Sequence, residues 1–159
     1  MTAEPSGRVV AVCLGPGGIP KHPVAEARVG ELGLDGDAHR YHLHGGADRA
    51  VCLFSVENYA SLRGDGVACE PPGAFGENVL TEGLDEERLG IGDRLAIGDE
   101  LVLEIHDVRE PCVTLKPLDR RFPELLTGRS GWLCRVIQPG VLRADARILR
   151  VGVGVPVTT

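Results

Sequence analysis

The chain has 159 residues. A chain of that size forms one domain that buries about two-thirds of its unfolded surface, enough for a core without staples. Lys and Arg number 17 against 23 Asp and Glu, a net charge of −6, which argues against a general nucleic-acid binder and a polybasic membrane binder. The 22 glycines and 11 prolines are too many breakers for a helical bundle and point to a loop-rich β fold.

No apolar signal-like region opens the sequence, and no apolar run is long enough to span a bilayer. The expectation is a cytoplasmic protein with reduced thiols. Cysteines stand at positions 13, 52, 69, 112 and 134 without a CxxC pair, so a tetrathiolate zinc site is not expected.

In chain order, Arg8 to Leu14 is a β-rich apolar run that stops at the Gly15–Gly18 loop. Val24 to Val29 alternates weakly and predicts an extended strand. Ala50 to Phe54 is short and continuously apolar, the pattern of a buried strand. Ser55 then offers an N-cap, and Val56, Tyr59, Ala60 and Arg63 fall at helical spacing, predicting a helix over 56–63 that Gly64 and Gly66 end. Strands follow at 78–81, 94–97 and 100–108, the last two joined by a Gly98-Asp99 hairpin. In the third, Leu101, Leu103 and Ile105 share one face. Pro117 and Pro123 limit 112–127 to short helical turns. Closing strands are expected at 132–137 and 146–151. The domain therefore runs over 8–151, with flexible termini at 1–7 and 152–159. The fold class is mainly β, a closed or nearly closed barrel of about seven or eight short strands with one clear helix and short helical turns.

Four segments could carry chemistry. In Gly33-Leu34-Asp35-Gly36-Asp37 and on to His44-Gly45-Gly46, dense glycines let backbone amides approach a ligand, and Asp37, His39, His42 and His44 add polar groups. A turn-rich surface loop explains the same composition equally well. A zinc site here would need a third donor, with His106, Asp37 or a cysteine available. Arg109-Glu110-Pro111-Cys112 ends a strand, so Cys112 leaves the sheet at a rim where a nearby guanidinium would favour its thiolate. Cys13, Cys52 and Cys134 read instead as small core residues. Between Arg109 and Arg135, six basic residues stand against three acidic ones, which suits an anionic ligand or simply a solvated face. Phe75-Gly76-Glu77-Asn78 could line a pocket or form a turn.

Taken in order, these segments resemble the MOSC domain, named for the C-terminal domain of molybdenum cofactor sulfurase. The resemblance rests on GLDGD at 33–37, HGG at 44–46 with Arg49-Ala50-Val51, and FGEN at 75–78. It continues through GIGD at 90–93, REPC at 109–112 and Gly131-Trp132 with Arg135-Val136 and Gly140, nearly the whole chain. It is similar to the small stand-alone bacterial type linked to resistance to N-hydroxylated purines.

That resemblance implies a MOSC-type β-barrel and a role in molybdenum cofactor or sulfur chemistry. It implies that Cys112 is the reactive residue and metal ligand, binding molybdenum or carrying sulfane sulfur. Arg109 would favour its thiolate and help hold a pterin phosphate, and His44 or His39 would donate a proton. Asp37, His39, Gly45, Gly46, Arg49, Glu77 and Asn78 would contact a pterin-type molybdenum cofactor, bound tightly or in transit. The expected partners are a small-molecule or cofactor ligand and a sulfur donor or reductase, with no nucleic acid and no membrane. Two other functions stay open at this point. One is a non-catalytic carrier of the cofactor, and the other is a small zinc-dependent hydrolase using the histidine cluster.

Overall fold

The computed structural model describes residues 4–15, 21–37, 50–84, 86–109, 119–121, 124, 129 and 131–153. Cys112, His39, His42, His44, Gly45, Gly46 and Arg49 lie outside the described residues.

Eleven strands and one helix are described: β1 (Glu4–Leu14), β2 (His22–Val24), β3 (Glu26–Gly30), β4 (Gly33–Leu34), β5 (Val51–Ser55), α1 (Val56–Gly64), β6 (Val79–Glu82), β7 (Asp93–Ile97), β8 (Leu101–Val108), β9 (Trp132–Gln138), β10 (Gly140–Arg143) and β11 (Arg147–Val153). Seven of the strands close a barrel in the order β11-β7-β8-β9-β5-β6-β1, with β1 pairing back onto β11. Strand β2 adds to the far part of β1, and β10-β3-β4 form a separate three-stranded sheet. Closure satisfies strand edges that an open sheet would leave unpaired.

Strand β1 begins at Glu4 rather than at the expected Arg8. Its first residues are held in the sheet, Glu4 opposite Arg150 and Pro5 opposite Leu149 of β11. The single strand expected at 24–29 is broken at Ala25, its first residue ending β2 and residues 26–29 lying in β3. Strands β4 and β10 were not expected, being too short to show a two-residue period.

All barrel pairings are antiparallel except that of β5 with β6. A parallel pair needs a crossover connection, and α1 provides it. Ser55 caps α1, its Oγ accepting from the Asn58 N–H at 3.0 Å. The residues of β5 then divide by face. Val51 and Leu53 join the main barrel core with Leu101, Leu103 and Ile105 of β8, while Phe54 packs outside with Tyr59, Leu62, Phe75 and Leu80. Phe54, Tyr59 and Phe75 stack edge-on and tilted with centroids 5.0–5.1 Å apart. The outer face of β5 and β6 is thus roofed by α1 and by the segment that precedes β6.

Candidate functional site

The strand alternation that sends Val12, Val51 and Leu53 inward sends Cys13 and Cys52 to this outer face. Between them, in the pairing order, lies Asn78, just before β6. Cys13 N–H donates to the Asn78 carbonyl at 2.8 Å, and Asn78 N–H donates to the Cys52 carbonyl at 2.9 Å. The Asn78 side chain repeats the bridge. Its Oδ1 accepts from Cys52 N–H at 3.0 Å, and its Nδ2 donates to Cys13 O at 3.3 Å and to Asp37 Oδ2 at 2.9 Å.

Asp37 is the last residue of the GLDGD motif that is described. Its carboxylate accepts from Gly15 N–H at 3.1 Å, from Asn78, and through both oxygens from the Lys21 ammonium at 2.8 and 2.7 Å. The Lys21 and Asp37 side chains are only 6% and 3% exposed. A buried ion pair of this kind is costly to desolvate unless its remaining bonds are met, and Asp37 meets all of its own. Gly33 of this motif serves close backbone packing. A Cβ on Gly33 would sit 2.4 Å from the Ala50 carbonyl oxygen, so this glycine is what lets β4 pack against the entry to β5.

Glu77 is fully buried. Its carboxylate accepts from Tyr59 Oη at 3.0 and 2.8 Å and from Gly73 N–H at 2.9 Å. Burial pushes its pKa up, against the opposing effects of these hydrogen bonds and of the Arg109 charge. Tyr59 Oη in turn accepts from Phe75 N–H at 3.3 Å. The 73–77 turn is thereby fastened from beneath.

Arg109 follows β8, its N–H donating to Gly131 O at 3.0 Å. Its guanidinium donates to the Phe75 carbonyl. Lys21 docks on the same turn, its N–H donating to Gly73 O at 2.9 Å. The Arg109 guanidinium and the Lys21 backbone thus dock on one turn, near the two thiols. Cys52, which is partly exposed, shows their effect. Burial raises its pKa, Arg109 opposes this most strongly, Glu77 adds to it, and Lys21 opposes it. Cys13 is fully buried and is pushed up to about 12, chiefly by burial and then by Glu77.

The structure therefore brings Asp37, Asn78, Glu77 and Arg109 together, with Asp37 and Glu77 both engaged in internal bonds. Cys134 is buried in the barrel core and Cys69 beneath the helix, each with its pKa raised by burial. Two members of this network are absent from the sequence-derived site. Lys21 is one of only two lysines in the chain and stands between Pro20 and Pro23, an oddity of composition that could have flagged it. Tyr59 showed only helical spacing, because its bond to Glu77 joins residues 18 positions apart.

Among the described residues, no three His, Cys, Asp or Glu side chains converge as a metal site, and no helix is long and apolar enough to cross a membrane. A surface cleft of about 720 Å³ lies elsewhere, between the β7–β8 hairpin and the β10–β11 turn.

A closed seven-stranded barrel with a single crossover helix, carrying GLDGD, FGEN and Arg109 at one network, is the arrangement expected of a MOSC domain. Residues 40–152 match the MOSC domain family, and the chain belongs to it. The protein YiiM of Escherichia coli (strain K12) is 37% identical over 129 residues, which are 76% of this chain and 57% of YiiM. A protein named "Reductase" from Gibberella moniliformis is 36% identical over 120 residues, 68% of this chain but 20% of that protein. The chain thus spans little more than half, or far less, of these relatives. The crystal structure of YiiM from Escherichia coli superposes with a TM-score of 0.74 at 32% identity, covering 93% of this chain and 71% of that one. The structure of YiiM from Geobacillus stearothermophilus gives 0.77 at 28% identity, covering 92% and 75%.

Proposed function

We propose that this MOSC domain acts in molybdenum cofactor or sulfur chemistry in the cytoplasm, with the Cys112 thiol as its reactive group. The observation that carries this reading is the fixed Arg109, anchored on the Phe75 carbonyl three residues before Cys112 in the sequence. A guanidinium held in place favours a nearby thiolate, and the thiolate is both the nucleophile and the metal ligand.

One feature supports a pterin-type cofactor: the Arg109 guanidinium, anchored on the Phe75 carbonyl, is a cation suited to an anionic group, while the Asp37 and Glu77 carboxylates are met by Lys21, Asn78, Tyr59 and Gly73. When bound, the molybdenum cofactor supplies the two-electron chemistry needed to reduce an N-hydroxylated compound. The chain would hold it through Cys112 and orient its anionic end through Arg109, with His44 or His39 as proton donor. Gly45, Gly46, Arg49 and Asn78 would complete the contacts. The relative named "Reductase" favours the reductive form of this reading over sulfane-sulfur transfer. A reductase that delivers electrons is the partner this chemistry requires.

The test is the molybdenum and pterin content of the purified protein, with and without Cys112→Ala. Molybdenum with pterin in the wild type, lost in the variant, is the expected result. A metal content unchanged by the variant removes Cys112 from the metal. Sulfane sulfur on Cys112 without metal selects the sulfur-carrier form, and stoichiometric zinc alone selects the histidine cluster.

A further inference from the structure

We propose that Tyr59 is a positioning residue of this site: its hydroxyl, carried on α1, sets where the Arg109 guanidinium stands, acting through the backbone of Phe75. That the placed guanidinium serves the chemistry rests on the function proposed above; that Tyr59 places it does not.

The link runs through the two backbone groups of one residue. Phe75 N–H donates to Tyr59 Oη at 3.3 Å, and the Phe75 carbonyl accepts from the Arg109 guanidinium. The Tyr59 hydroxyl has one proton to give and lone pairs that accept. Its proton goes to Glu77, whose oxygens lie 3.0 and 2.8 Å away, and this turns a lone pair toward Phe75. Glu77 is held in turn by Gly73 N–H at 2.9 Å, and Gly76 N–H closes the turn on Gly73 O at 3.0 Å. Tyr59, Phe75 and Glu77 are all fully buried, so a bond lost here leaves a polar group unsatisfied.

Packing alone does not account for the hydroxyl. The Phe75 ring rests against the Phe54 and Tyr59 rings, each with its centroid 5.1 Å away, and a phenylalanine at position 59 would keep those contacts. What the hydroxyl adds is direction, because it fixes the Phe75 main chain and with it the carbonyl that Arg109 grips. An arginine side chain has many rotamers and takes one position only where its end is held. The Arg109 backbone is tied to Gly131 O at 3.0 Å, and the Phe75 carbonyl, 34 residues earlier, holds the other end. A group used in chemistry needs its supports to place it within about 0.5 Å. Helix α1 thereby acts on the site through Tyr59 without that residue touching a ligand.

The experiment is phenylglyoxal labelling of the native full chain, with the rate at Arg109, which is partly exposed, read by mass spectrometry. Sucrose in every sample favours the folded state, so the variants are compared as native proteins. Tyr59→Phe is expected to label at Arg109 about fivefold faster, the factor that a hydrogen bond of ordinary net strength allows. Ile148→Val, a mild truncation in the barrel core, controls for lost stability. Glu77→Gln keeps an oxygen that accepts from Tyr59 and controls for lost charge. Both controls are expected to stay within about twofold of wild type. An unchanged rate in Tyr59→Phe, or an equal rise in either control, overturns the proposal. Iodoacetamide labelling of Cys112 in Tyr59→Phe separates this proposal from the function above. Slower labelling together with a loosened Arg109 supports both, whereas unchanged labelling counts against the role given to Arg109 in that function and leaves the positioning role standing.

Discussion

The Tyr59 hydroxyl donates to both oxygens of Glu77, at 2.8 and 3.0 Å, with both residues fully buried. This bond fastens α1 to the 73–77 turn, and the turn is where Arg109 and Lys21 both dock. Tyr59→Phe keeps the ring and removes the donor. It is expected to cost about 1–3 kcal/mol in urea unfolding, because a buried carboxylate loses a partner.

Glu77 also gives the protein a pH dependence of unusual sign. Its folded-state pKa lies above the ordinary carboxyl value, so the native state holds the proton more tightly than the unfolded chain. Its contribution to stability is therefore greatest in acid. It is lost as pH rises from the ordinary carboxyl range, about 4.3, through the raised folded value. Glu77→Gln lacks this slope. Urea unfolding of wild type and variant across that range is expected to show the wild type losing stability relative to the variant as pH rises.

Two glycines make a matched pair of predictions. Gly73 has φ 87°, and a Cβ there meets the Lys21 carbonyl oxygen, so Gly73→Ala is expected to cost more than about 2 kcal/mol. Gly64, the last residue of α1, has nothing within 4 Å of a built Cβ. Gly64→Ala is expected to be neutral or stabilising by up to about 1 kcal/mol, through reduced unfolded-state entropy. Thermal melts of the two variants check both signs at once.

Asn78 bridges three segments with one amide. Asn78→Ala strips a side-chain partner from Cys52 N–H, Cys13 O and Asp37 Oδ2 together. A loss of about 2–4 kcal/mol is expected, with hydrogen exchange accelerating at Cys52.

The sequence made the long elements readable and the network largely unreadable. Ser55 and the spacing of Val56 and Tyr59 located α1, and the alternation of Leu101, Leu103 and Ile105 located β8, because each pattern is local. The closing pair β1–β11 joins Glu4 to Arg150, and no local period encodes so distant a register. The same limit hid Lys21, whose ion pair with Asp37 spans a separation of 16 residues. The family motifs also carry structural tasks that their sequence does not announce. Gly33 serves close backbone packing, and the Glu77 carboxylate supports the turn from behind.

The central claim is that Cys112 is the reactive sulfur of this domain. Burial raises the pKa of Cys13, Cys52, Cys69 and Cys134, and for Cys13 a value of about 12 leaves roughly one thiol in 10⁴ ionised at about pH 8. The direct measurement is the time course of iodoacetamide labelling of the native protein at that pH, read site by site by mass spectrometry. The account predicts that Cys112 is labelled first, while the other four react only after unfolding. Labelling of Cys52 or Cys13 as fast as Cys112 would contradict it.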